Sequence, residues 1–287
     1  MRVGLVQLNS QDDREANLRE ASRLIEAAAC EGVDLAALPE LFTYLGPASE
    51  HPKVAEAIPG PTTEHLSALA AKHRMYILGG SFLECVPGES RFFNTSTLFD
   101  RTGRLIARYR KIHLFDVDLP GQAPYRESAT VAAGTEIVTA DTEFGRVGMT
   151  VCYDLRFPEL YRALASQGAE VIFVPAAFTL HTGKDHWEVL LRARAIENQV
   201  FVVAPAQVGP HPPGRECYGN SLVADPWGTV IARAPYRVAI AVATLDLGYL
   251  KQIRRELPAM AHRRHDLLPG GKNIKTNIEY RTPNTQS

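Results

Sequence analysis

The sequence predicts an α/β fold: one domain in which two like units pack as a four-layer α-β-β-α sandwich. Three observations carry this. Short β-type runs alternate with amphipathic stretches along the chain. Four segments of the first half recur, in order, in the second. The chain has 287 residues, 45% of them apolar, enough to build one sizeable core.

The strands are expected at Val3–Leu8, Asp34–Leu38, Met75–Leu83, Asn94–Asp100, Arg104–Tyr109, Arg146–Cys152, Glu170–Val174, Val200–Ala206, Asn220–Ala224, Thr229–Arg233 and Val238–Leu245. Val, Ile, Phe and Leu dominate them, and Gly, Pro or Asp punctuate their ends. A first helix follows from apolar residues at helical spacing, Leu18, Ala21, Ile25 and Ala28. A second runs to about Lys72 from a cap at Thr62 or Thr63. Pro158 with Glu159 starts a third, to about Gln167. A fourth covers Asp185–Gln199.

RVGLVQ (Arg2–Gln7) recurs as RVGMTV (Arg146–Val151), and GVDLAALPE (Gly32–Glu40) as GAEVIFVPA (Gly168–Ala176). RMYILGG (Arg74–Gly80) lines up with QVFVVAP (Gln199–Pro205), and SxxxDxxGxLIAR (Ser96–Arg108) with SxxxDxxGxVIAR (Ser221–Arg233). The offsets are 144, 136, 125 and 125, in unbroken order. The implied unit is strand, helix, strand, helix, strand, hairpin. It is too long for a solenoid repeat, and two such units in one domain pack sheet to sheet with helices outside. The domain is expected over residues 1–268. Residues 269–287 are polar and are expected to be a tail or an arm onto a partner subunit.

Thirty-one Lys and Arg balance 32 Asp and Glu, for a net charge of −1. This balance removes the bulk electrostatic case for a nucleic-acid or membrane-surface partner. No apolar run has membrane-spanning length, and the chain opens into a strand-like RVGLVQL (Arg2–Leu8) rather than a signal peptide. The four cysteines, at positions 30, 85, 152 and 217, have neither zinc nor disulfide spacing. A cytoplasmic, thiol-reducing setting is the expectation.

Cys152 ends an apolar strand shortly before the helix at Pro158. Such an elbow projects a side chain into the crevice at the carboxyl ends of the strands, where a basic neighbour can activate a thiol. A lone cysteine is as readily a small buried hydrophobe, so position alone leaves both readings open. Glu40 comes directly after Pro39, which ends the strand equivalent to Glu170–Pro175. If buried, its carboxylate could take a thiol proton; in solvent it is a turn residue. Lys111 closes RYRK (Arg108–Lys111) and is either a surface charge or, turned inward, an oxyanion stabiliser. Glu127 is a second acid in a Gly/Pro-rich loop, PYRES (Pro124–Ser128).

Taken together, LPELF (Leu38–Phe42), YRKIHLFD (Tyr109–Asp116), PGQAPYRES (Pro120–Ser128) and CYDLRFPELY (Cys152–Tyr161) resemble the nitrilase-like carbon–nitrogen hydrolase superfamily. His186–Gln207 and Tyr218–Ala232 extend the resemblance over nearly the whole chain. It implies the four-layer sandwich with internal pseudo-two-fold symmetry. It also implies Glu40 as general base, Lys111 as oxyanion stabiliser, Cys152 as nucleophile and Glu127 as the second acid. The implied reaction is hydrolysis of a small-molecule carboxamide to acid and ammonia through a cysteine thioester, with no metal and no organic cofactor.

Within the superfamily the blocks look most like the deaminated glutathione amidase branch, with the omega-amidase branch, acting on α-ketoglutaramate, as the alternative. A non-catalytic ligand-binding protein on the same fold is a third reading. The backbone N–H of Tyr153 is expected at the oxyanion. Arg156 is expected to meet a substrate carboxylate, or else to form a surface salt bridge, and Phe178 and Thr182 to line the pocket. A homodimer or higher homo-oligomer is implied by the resemblance.

Overall fold

The computed structural model describes residues 1–118 and 125–264. The tail at 269–287 and Pro120–Pro124 of the PGQAPYRES motif lie outside the described residues.

The first half runs β1 (Arg2–Gln7), α1 (Arg14–Cys30), β2 (Leu35–Ala37), α2 (His51–Val54), α3 (Pro61–His73), β3 (Tyr76–Leu78), β4 (Phe82–Glu84), β5 (Phe93–Phe99) and β6 (Leu105–Arg110). A short ladder, β7 (Asp116–Val117) with β8 (Tyr125–Arg126), follows. The second half runs β9 (Thr139–Thr142), β10 (Gly145–Met149), α4 (Pro158–Ser166), β11 (Val171–Phe173), α5 (Leu180–Asn198), β12 (Phe201–Ala204), the hairpin β13 (Val208–His211) and β14 (Arg215–Tyr218), β15 (Leu222–Ala224), β16 (Val230–Arg233), β17 (Ala239–Thr244) and α6 (Leu247–Glu256).

The strands form two principal sheets with matching order. In the first, β1, β2 and β3 are parallel neighbours, β17 flanks β1 antiparallel, and β5 then β6 continue antiparallel beyond β3. In the second, β10, β11 and β12 are parallel, β9 flanks β10 antiparallel, and β15 then β16 continue beyond β12. The four recurring sequence segments fall on the matching strands.

Side chains alternate across a strand, which explains why these short strands are apolar throughout. Val3, Leu5, Leu35, Ala37, Tyr76 and Leu78 join one apolar cluster with Val147, Met149, Val171, Phe173, Phe201 and Val203 of the second sheet. Their neighbours Val6, Ala36 and Ile77 point the other way, onto Leu24, Ile25 and Ala28 of α1 and Leu66 and Leu69 of α3.

Helix starts are chemically marked. Asp13 Oδ1 accepts from Ala16 N (3.0 Å) at α1, and Asp246 Oδ1 accepts from Gly248 and Tyr249 N (2.9 and 3.1 Å) at α6. Pro158 stands in the first turn of α4.

Several boundaries differ from the sequence reading. The strand expected at 75–83 is two strands, β3 and β4, broken at Gly79–Gly80. Gly80 has φ +46°, and a Cβ there would lie 2.0 Å from the Pro39 carbonyl oxygen. The close approach of the Glu40 loop forces the break. The second helix is not capped by Thr62 or Thr63: Gly60 is the cap residue, Pro61 opens the helix, and Thr63 Oγ1 reaches back to accept from Gly60 N (2.8 Å). The fourth helix starts at Leu180, capped by Thr179, ahead of the expected Asp185. Cys152 is not on β10 but opens a single tight turn over Cys152–Arg156. β9, the β13–β14 hairpin and α6 had no counterpart in the sequence reading.

Candidate active site

The parallel strands of both sheets deliver their carboxyl ends to one place. Glu40 follows β2, Cys152 follows β10 and Ala177 follows β11. Lys111 is the residue after β6, its N–H bonded to Asn94 O (2.9 Å).

Glu40 is held from below. Its predecessor Pro39 accepts from Ser81 N (3.2 Å), Ser81 Oγ accepts from Leu41 N (3.0 Å), and Gln207 Nε2 donates to the Glu40 carbonyl (3.0 Å). Leu41 has φ +50°, a left-handed turn that the clamp on both sides sustains.

Lys111 Nζ donates to Glu40 Oε1 (2.8 Å) and to Glu127 Oε2 (2.8 Å). Asn94 Nδ2 donates to the same two carboxylates, at 2.9 and 3.1 Å. Each carboxylate has a backbone donor too: Ala177 N to Glu40 Oε2 (2.8 Å) and Phe115 N to Glu127 Oε2 (2.7 Å). Lys111, Glu40, Glu127 and Cys152 are 2%, 3%, 5% and 7% exposed. Burial alone would lower the Lys111 ammonium; the charges of Glu127 and Glu40 outweigh it and hold the pKa well above the ordinary lysine value. The lysine is a fixed cation.

Burial pushes the Cys152 thiol well up, the Glu40 charge adds to this, and Lys111 opposes it. The resting thiol is therefore protonated at neutral pH and needs a base to react, and the Glu40 carboxylate lies near enough for its charge to raise it. Cys152 has φ +46°, and its N–H donates to Pro175 O (2.8 Å).

Asp154, fully buried, ties this turn to the Lys111 segment. Its Oδ2 accepts from Val151 N (2.8 Å) and Tyr109 Oη (2.7 Å), and its Oδ1 from His113 N (3.0 Å) and Nδ1 (2.8 Å). The His113 ring stacks on Phe157 at 3.7 Å.

A cavity of about 790 Å³ opens over these groups. Its lining includes Glu40, Lys111, Glu127 and Cys152, together with Tyr153, Arg156, Phe178 and Thr182. The Arg156 guanidinium lies 5.1 Å from the Phe178 ring centre and 3.3 Å from His186 Nδ1. No ion pair involves Arg156 among the described residues, which leaves the surface salt bridge without support. Phe178 packs on Trp187 at 5.1 Å. The Thr182 hydroxyl is shared with Thr179 (2.9 Å) at the start of α5, so it also serves the helix.

Asn94, Asp154, His113 and Gln207 were not singled out from sequence. The signal for Asn94 was the polar run Asn-Thr-Ser-Thr inside β5, a strand buried at every position. For Asp154 it was an acid two residues after Cys152, just past an apolar strand. His113 and Gln207 had no comparable mark.

The carbon–nitrogen hydrolase family model matches residues 2–255. The deaminated glutathione amidase of Synechocystis sp. is 46% identical over 261 residues, 90% of this chain and 96% of that protein. Human omega-amidase NIT2 is 39% identical over 266 residues, 93% of this chain and 96% of that protein. The crystal structure of Saccharomyces cerevisiae Nit3, a member of branch 10 of the nitrilase superfamily, superposes with a TM-score of 0.84 at 35% identity, covering 92% of this chain and 96% of that one. With a matching strand order, a buried thiol–carboxylate–lysine cluster and these relatives, the chain belongs to the carbon–nitrogen hydrolase family.

Proposed function

We propose that the protein is an amidohydrolase that cleaves a small carboxamide through a Cys152 thioester, in the deaminated glutathione amidase branch. One observation carries the reading: a buried lysine is shared by two buried carboxylates, and a buried thiol lines the same cavity. Burying four ionisable groups is costly unless they are used or fully paired.

In this reading Glu40 takes the thiol proton and the sulfur adds to the amide carbon. The oxyanion meets Lys111 Nζ and the Tyr153 N–H. Glu40 returns the proton to the leaving nitrogen, the C–N bond breaks, and an acyl-thioester remains. Glu40 then deprotonates the water that cleaves it. Glu127 accepts from Lys111 Nζ and keeps it aimed. Arg156, beside Phe178, takes a substrate carboxylate such as that of an α-keto acid. A primary amide yields ammonia, whereas the γ-amide of deaminated glutathione yields cysteinylglycine, so the assay should follow the common product, 2-oxoglutarate.

The second reading, omega-amidase, keeps every residue in its role and changes the amide. It is supported by the 39% identity to human NIT2. Two finer features belong to the same proposal. The matched strand orders, and an apolar cluster shared by the sheets with helices on the other face of the first, support a four-layer sandwich with a pseudo-two-fold axis. Val189 and Ile196, two turns apart on α5, and Trp227 are exposed, which supports a homodimer. A reducing compartment, the cytoplasm, suits the thiol.

The test is 2-oxoglutarate release from deaminated glutathione and from α-ketoglutaramate by wild type and Cys152→Ala, with mass spectrometry for the acyl-enzyme. Release by wild type alone, with an adduct on Cys152, is expected. Preference for α-ketoglutaramate selects the omega-amidase branch. Acid release by Cys152→Ala at the wild-type rate overturns the mechanism.

A further inference from the structure

The proposed catalytic steps use one wall of the cavity only at its Arg156–Tyr153 end. It is a row of aromatic rings with a guanidinium at each end. Arg156 Cζ lies 5.7 Å from the Tyr153 ring centre. Tyr153 meets Phe115 at 5.1 Å, and Phe115 meets Tyr125 at 5.8 Å. Arg215 Cζ lies 3.6 Å from the Tyr125 ring centre. All five residues line the cavity.

Arg156 has a role in the proposed function; Arg215 has none. It opens β14, opposite His211 of β13. No ion pair involves Arg215 among the described residues. Its neighbour Glu216 is engaged elsewhere, accepting from the Tyr236 hydroxyl. Such a cation, stacked on a ring and facing a cavity, is set for a carboxylate from outside.

His211 also lines the cavity and is 3% exposed. The Ser10 carbonyl can only accept, so His211 Nδ1–H donates to it (2.7 Å) and Nε2 is left as an acceptor. Nε2 is buried and has no partner among the described residues. The space also exceeds what the acyl part needs. A cavity of about 790 Å³ suits a drug-sized ligand, whereas α-ketoglutaramate has five carbons.

We propose that the end of the cavity formed by Arg215, Tyr125 and His211 is the subsite for the departing amine, and that Arg215 selects amines carrying a free carboxylate, as in an aminoacyl or dipeptidyl amide. This rests on the amidohydrolase reading. Arg156 then holds the carboxylate of the acyl part and Arg215 that of the amine part, with the scissile amide over Cys152 between them.

The experiment compares three amides of 2-oxoglutarate: the primary amide, the cysteinylglycine amide, and the same compound ending in glycinamide. Wild type should cleave the free-carboxylate form with kcat/KM at least about tenfold above the glycinamide form. Arg215→Gln should erase that preference through KM and leave the primary amide within about twofold. Arg215→Lys should restore part of it. Equal cleavage of the two dipeptide amides by wild type overturns the subsite, as does an equal loss on all three in Arg215→Gln, which marks a structural role. Cleavage of the primary amide alone overturns it and leaves the amidohydrolase reading standing. Cleavage of none overturns both.

Discussion

Lys111 is the residue on which the site's electrostatics turns. Two buried carboxylates converge on its ammonium at 2.8 Å, and without it they face each other with no cation between them. Lys111→Met should therefore cost about 3–5 kcal/mol of stability, the usual result of breaking a buried ion pair. Adding Glu127→Gln should return at least about 1 kcal/mol, because the second change removes one of the stranded charges. Urea unfolding of the wild type, the single variant and the double variant checks this; strictly additive losses would refute the coupling. That Glu40, Lys111, Glu127 and Cys152 belong together was legible because each stands in a short, recognisable motif. The groups that hold them were not. Asn94 sits on β5, whose neighbours are set by pairing across distant segments, and Asp154 acts through Tyr109 and His113, more than forty residues away. Such contacts have no local periodicity.

Elements join where buried charge crosses a sheet. Glu84 of β4 accepts from Arg110 Nε (2.8 Å) on β6, from Arg108 Nη1 (3.2 Å), and from Thr95 Oγ1 (2.7 Å) on the intervening β5. Burial alone would raise the Glu84 carboxyl; the bonds from Arg110 and Thr95 and the charges of Arg110 and Arg108 outweigh it and hold the pKa below the ordinary value. A depressed carboxyl contributes stability above its unfolded pKa and loses it as pH falls through the folded one. Glu84→Gln should thus cost about 1.5–3 kcal/mol near pH 7. The gap should stay constant down to about pH 5 and close at lower pH. Unfolding midpoints measured across that range test it, and a gap that widens in acid would contradict the assignment. At this scale the sequence named the strands by composition but ran β3 and β4 together. A double glycine reads as a strand end or as a bend alike, and the deciding fact, the Pro39 carbonyl against Gly80, is a tertiary contact.

For the whole molecule, the repeated segments made both sheets legible, since a duplicated strand order needs only collinear matches. The elements that differ between halves were not: the β13–β14 hairpin has no counterpart among the recurring segments, and α6 follows the last of them. α6 buries Leu250 and Ile253, and its Arg254 donates to the Gln199 and Ala169 carbonyls at 2.9 Å each. β17 is the strand whose loss should matter most, because it pairs with β1 along six register positions, from Arg2↔Thr244 to Gln7↔Ala239. A chain ended at Arg237 should leave the β1 edge bare and yield mostly aggregated protein. Light scattering and the soluble fraction measure this, and a soluble, monomeric truncation would refute it.

The pairing of β1 with β17 also sets an order of events during synthesis. The second sheet is built from one contiguous stretch, Thr139 to Arg233, and has all its strands once that stretch has left the ribosome. The first sheet has its inner strands far earlier, yet its missing neighbour is the last strand among the described residues. At ordinary elongation speeds the β1 edge waits unpaired for on the order of tens of seconds. The N-terminal half is thus the part of the nascent chain that most needs a chaperone's cover, although it is the half that emerges first.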